Sequence, residues 1–119
     1  MPGADSILRR EIVVLSAHYD AMGPGTRGEL FLGADDNASG VAALLEVSRM
    51  LARQRQWLKR SLLIVAFGAE EWGMVGSRYY VAHPVRDLAR TAALLNADAI
   101  AGRTPVALAH LVGRSHYPG

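Results

Sequence analysis

Apolar positions along the chain form two kinds of pattern, short unbroken runs and longer stretches with helical spacing. Ile12 to Leu15 is an unbroken run behind the charged lead-in Arg9, Arg10 and Glu11, and Ser61 to Phe67 (SLLIVAF) is a second. A run that is apolar at nearly every position has no polar face to turn to water, so both predict strands buried on two faces. Ala92 to about Ala97 predicts a third strand closing on Asp98, and Val106 to Val112 a weaker fourth. Between the first two runs Val41, Leu44, Leu45, Val47, Met50 and Leu51 recur at helical spacing, with Glu46, Arg49 and Arg53 polar between them. This predicts an amphipathic helix from Asn37 to about Gln54 with a wide buried stripe. Asp35, Asp36, Asn37 and Ser39 suit its amino end, and its arginine-rich last turn suits the macrodipole. A shorter helix is predicted over Val75 to Ala82, stopping before Pro84. Ala21 to Gly33 carries four glycines and Pro24, which predicts a loop.

Strand, helix, strand, helix, strand is the grammar of an α/β domain, with parallel strands and helices on both faces of the sheet. All strand carboxyl ends of a parallel sheet lie along one edge, where such folds bind ligands. His18, Asp20, Glu70, Glu71 and Asp98 each fall at or just past the carboxyl end of a predicted strand. Asp36 opens the helix that follows the first strand. Six ionisable groups are therefore expected on one edge.

Composition narrows the chemistry. The chain has 119 residues, 50% hydrophobic and 20% charged, with 13 Lys+Arg against 11 Asp+Glu for a net charge of +2. That predicts one globular domain over residues 1–119, outside the range of disordered chains. There is no cysteine, which excludes disulfides, thiolate-held metals and thiol nucleophiles. No apolar run nears the roughly 20 residues of a membrane span, and Met1 to Arg10 lacks the apolar middle of a signal peptide. A soluble chain with no membrane partner is expected. The arginines between positions 49 and 60 are spread along a helix and its exit without interleaved aromatics, so no nucleic-acid partner is expected either.

Five carboxylates and an imidazole in one crevice repel unless they neutralise or hold a cation. No lysine or arginine lies within these motifs, so a divalent metal is the economical solution. Without sulfur, a His/Asp/Glu set suits zinc, with manganese or cobalt as alternatives. Asp20, two residues past His18, can accept the second imidazole N–H and fix the tautomer. Adjacent Glu70 and Glu71 diverge, so one can ligate a metal while the other faces an activated water.

The ordered series AHYD (17–20), GADDNASG (33–40), AFGAEEWG (66–73) with Gly76-Ser77, and LLNADAIAG (94–102) closely resembles the catalytic core of the two-zinc exopeptidases of the leucyl aminopeptidase and aminopeptidase Y type, relatives of glutamate carboxypeptidase and glutaminyl cyclase. The resemblance implies a three-layer αβα sandwich, with His18 and Asp98 on one zinc, Glu71 on the other and Asp36 bridging them. It implies Glu70 as general base, Asp20 as the partner of His18, and a cis peptide at Asp36-Asn37. It also implies a peptide or aminoacyl substrate, and membership of a family often secreted or periplasmic. Such enzymes carry a further histidine ligand well downstream of the Asp98 motif; His110 and His116 come too early and are read as non-ligands. The chain is thus expected to be a carboxyl-truncated catalytic core, holding about one zinc of the two and prone to self-association through an uncovered sheet edge.

Two other functions are weighed against a metal-dependent aminopeptidase. One is a non-catalytic fragment that keeps the fold and at most one metal. The other is a phosphoacceptor receiver domain, which needs a lysine at a late strand end; Lys59, the only lysine, precedes the second strand.

Overall fold

The structure is a computed structural model and describes residues 1–102. The strand expected at Val106 to Val112, with His110 and His116, lies outside the described residues. In chain order the elements are β1 (Ile12–His18), β2 (Gly23–Pro24), β3 (Leu30–Phe31), α1 (Ala38–Arg53), β4 (Ser61–Phe67), α2 (Val75–Ala82) and β5 (Thr91–Asn96). β4, β1 and β5 form a parallel sheet in that order. Both helices stand close to their expected positions. The loop expected over Ala21 to Gly33 contains a two-residue antiparallel pair, β2 with β3, in which Gly23 pairs with Phe31.

The first apolar run becomes the central strand. Ile12, Val14 and Ala17 form the heart of the core with Leu44 of α1 and Leu62 of β4. The strands beside it are less covered than a continuous apolar run predicts. In β4 only Leu62 is fully buried and Ala66 is exposed, while β5 is exposed from Ala92 to Asn96. Their position at the two edges of the described sheet is the cause. The amino-terminal segment lies along the outside of β4, where Met1 and Leu62 exchange backbone hydrogen bonds of 2.7 and 2.8 Å.

The buried stripe of α1 is likewise narrower than its periodicity suggests. Leu44 is buried and Val41 and Leu51 are half-buried, but Leu45, Val47 and Met50 are exposed. Three strands span only about 10 Å from first to last, no wider than a single helix with its side chains, so one narrow stripe suffices to cover them.

Connectivity sets the position of the site. The chain leaves β1 toward β4 on one side and returns to β1's other side at β5. The carboxyl ends of β1 and β5 therefore flank the kind of crevice where open parallel sheets bind ligands.

Candidate metal centre

Sheet register brings the chemistry together. Ser16 of β1 is level with Asn96 of β5, and the pair is fixed by Ser16 Oγ donating to Asn96 Oδ1 at 2.8 Å and Ala97 N donating to Ser16 O at 2.8 Å. Two residues further along each strand, His18 and Asp98 consequently come abreast. Asp36 arrives from the opposite direction, immediately before the cap of α1, across a cis Asp36-Asn37 peptide.

The three side chains converge. His18 Nε2 lies 3.0 Å from Asp36 Oδ1 and 3.3 Å from Asp98 Oδ1, and one donor atom from each residue lies within 4.8 Å of the others. Among the described residues this is the one such group of histidine and carboxylate donors. The imidazole is 2% exposed, whereas Asp36 and Asp98 are 59% and 42% exposed. A cation from solvent thus meets two open carboxylates above a fixed nitrogen. Burial by itself pulls the imidazole toward its neutral form, but the charges of Asp98, Glu70 and Asp36 outweigh it and raise the histidine pKa above its usual value. An imidazole and two carboxylates make the three-ligand shell that leaves a catalytic metal one open position. The donor set fits a divalent ion.

Glu70 and Glu71 follow β4 on a tight turn, with Ala69 in the left-handed region at φ 55°. The turn is held by Asp20, whose Oδ1 accepts from Glu70 N at 3.1 Å and whose Oδ2 accepts from Glu71 N at 3.2 Å. Burial raises the Asp20 carboxyl, but these two N–H donors prevail and its pKa falls below the ordinary value. Asp20 Oδ1 also stands 3.5 Å from His18 Nδ1, longer than a hydrogen bond. Nδ1 is buried and unpartnered among the described residues. The sequence alone pairs Asp20 with the histidine; in the structure its oxygens are engaged first by the backbone of the Glu pair. Glu71 stands outside the three-residue donor group. Its pKa is raised by burial and by the charges of Asp36 and Glu70.

A cavity of about 420 Å³ opens beneath the group. Val14, Phe67, Tyr80 and Leu94 line its apolar part, and His18, Glu70 and Asp98 stand along its wall. Tyr80 packs edge-on against Phe67 with ring centroids 5.9 Å apart.

One functional side chain escapes the sequence reading except as part of a helix cap. Asn37 is 1% exposed and uses its whole amide. Nδ2 donates to His18 O at 3.3 Å and Ala97 O at 3.0 Å, and Oδ1 accepts from Gly40 N and Ala99 N, each at 3.1 Å. Its position between Asp36 and a helix start is visible in the sequence. The partners 60 residues away are not.

Comparison with known proteins gives the chain its relatives. The profile of peptidase family M28 matches residues 1–117. Aminopeptidase YwaD of Bacillus subtilis is 34% identical over 96 residues, 80% of this chain and 19% of that protein. Leupeptin-inactivating enzyme 1 of Streptomyces exfoliatus is 32% identical over 105 residues, 87% of this chain and 22% of that protein. The probable lipoprotein aminopeptidase LpqL of Mycobacterium tuberculosis is 36% identical over 95 residues, 79% of this chain and 18% of that protein. The chain spans about a fifth of the length of these curated relatives. With a profile match across nearly its whole length and the ordered motifs gathered at one sheet edge, the chain belongs to peptidase family M28.

Proposed function

We propose that this chain is the metal-binding core of a zinc-dependent exopeptidase of the aminopeptidase type. His18, Asp36 and Asp98 hold one zinc, and Glu70 is the general base. The observation that carries this reading is the convergence of three donor atoms, from three separate segments, within 4.8 Å. Family membership and the aminopeptidase names of the relatives support the reaction class. An imidazole, carboxylates and no cysteine favour zinc over softer metals.

When bound, the ion supplies Lewis acidity toward water and toward a substrate carbonyl. The protein's residues do the rest. His18 presents Nε2 to the site, so its proton resides on Nδ1, on the side of Asp20. Glu70 lines the same cavity as His18 and Asp98; its carboxylate accepts a proton from water and returns it to the departing amine. Asp20 holds the backbone of the Glu pair so that Glu70 keeps that position.

Among the described residues Asp36 and Glu71 offer a second ion two carboxylates and no imidazole, so about one zinc per chain is expected. The substrate is a peptide or aminoacyl compound with a free amino end. In the complete catalytic domain the sheet is the middle layer of an αβα sandwich, of which residues 1–119 are one part. The test is zinc content and turnover of an aminoacyl amide, in the wild type and in His18→Ala. Zinc lost with His18 supports the reading, and zinc retained without it refutes the assignment.

A further inference from the structure

The turn that carries Asp98 is fastened to the start of α1 by a continuous row of hydrogen bonds. Asn37 Nδ2 donates to Ala97 O at 3.0 Å, Ala99 N donates to Asn37 Oδ1 at 3.1 Å, Ile100 N donates to Ser39 Oγ at 3.0 Å, and Ala101 N donates to Asp35 Oδ1 at 2.8 Å. Ser39 Oγ donates in turn to Asp35 O at 2.7 Å. The same Asn37 amide reaches His18 O and the first turn of α1. One buried side chain thus touches the backbone of His18, belongs to the residue that directly follows Asp36, and brackets Asp98 from both sides.

Ala99 sits at φ 46° without being glycine, a conformation that persists only where the surroundings hold it. Among the described residues Asp98 is itself 42% exposed, so packing against them does not fix its direction. Gly40 is the matching accommodation on the helix: a Cβ there would collide with Asn37 Oδ1 and the Ala97 carbonyl.

We infer that Asn37, with Ser39 and Asp35, is a positioning latch that assembles the His18, Asp36 and Asp98 donors into one metal-binding geometry. This rests on the metal reading above. The latch residues do not contact the ion; they set the distances between the groups that do. Side chains that orient ligands in this way typically change metal affinity about 10–100-fold when removed.

The test uses the full 119-residue chain as wild type, Asn37→Ala, Ser39→Ala and Ser48→Ala. Ser48 Oγ donates to Leu44 O on the same helix, away from the latch, so its variant controls for loss of a helix-bound hydroxyl. Co2+ is titrated by calorimetry and visible absorption at a temperature where each metal-free chain is folded by circular dichroism, and amide exchange is followed at Ala99, Ile100 and Ala101. Asn37→Ala is expected to weaken Co2+ binding about 10–100-fold and alter the absorption spectrum. Ser39→Ala, which loses the acceptor for Ile100 N together with the bonds from Ser39 Oγ to Asp35 and carries the test if Asn37→Ala does not fold, is expected to weaken it about 10-fold, the low end of that range, and to speed exchange at Ile100. Ser48→Ala matches the wild type. If the latch variants lower only thermal stability and keep wild-type Co2+ affinity and spectrum, the inference is overturned. If the wild type binds no Co2+, the metal reading itself fails, and exchange at Ile100 in Ser39→Ala judges the latch alone.

Discussion

Replacing Asp20 separates its hold on the Glu pair from its nearness to His18. The carboxylate accepts two backbone N–H groups, one on each oxygen, at 3.1 and 3.2 Å. Asparagine has a single carbonyl oxygen, so Asp20→Asn keeps at most one of these bonds, without charge, and turns an NH2 group toward the other donor. A hydrogen bond to a charged acceptor contributes about 1.5–3 kcal/mol. The side chain is 19% exposed, and water partly replaces what is lost. Asp20→Asn is therefore expected to cost about 1–2 kcal/mol and Asp20→Ala, which loses both bonds, about 2–4 kcal/mol. Urea unfolding of the metal-free chain, followed by circular dichroism, measures both. The sign of the pH dependence follows from the lowered pKa of Asp20. Its contribution is present above the unfolded carboxyl value of about 4 and is lost as pH falls through the folded value, so wild type and Asp20→Asn converge below about pH 4. Equal stability of the wild type and both variants at pH 7 would show that Asp20 does not hold the turn, and the account of Glu70's placement would fall with it.

Three further outcomes are expected. Glu70→Gln, in the form of the polypeptide that hydrolyses an aminoacyl amide, lowers turnover about 100- to 10,000-fold with unchanged zinc content; a parallel loss of zinc reassigns Glu70 as a ligand. Because metal binding must displace the proton that the raised pKa of His18 favours, zinc affinity in calorimetry falls about tenfold per pH unit below that pKa, with proton release that vanishes at higher pH; pH-independent affinity between pH 5 and 8 removes His18 from the site. Leu94 and Leu95 of β5, at the edge of the described sheet, are each 45% exposed, so sedimentation velocity is expected to show concentration-dependent self-association that Leu95→Lys reduces; a monomer at every concentration rejects a sticky edge.

What the sequence makes legible here is the local order. Pro84 marks the end of α2, and the unbroken run SLLIVAF defines β4 to the residue. The strand-end rule places His18, Asp98 and Glu70 along the wall of one cavity. Burial is less legible, because a periodic stripe records what a helix can bury and not the width of the sheet beneath it; Leu45, Val47 and Met50 of α1 are exposed for that reason. The latch is hardest to foresee. Asn37, Ser39 and Asp35 read as a polar helix start, and a cap needs only one of them. Their other bonds go to backbone atoms of Ala97 to Ala101, which carry no side-chain signature. Asp20 is similar: an H-x-D spacing points to His18, while the carboxylate's hydrogen-bond partners are the N–H groups of Glu70 and Glu71.

The central claim is that His18, Asp36 and Asp98 form a metal site, and the direct measurement is zinc stoichiometry and affinity in the 119-residue chain. Elemental analysis after dialysis, with calorimetric titration of the metal-free chain, is expected to give about one zinc per chain, lost in His18→Ala and in Asp98→Ala. Either no zinc bound by the folded wild type, or zinc held undiminished in both variants, would contradict the account.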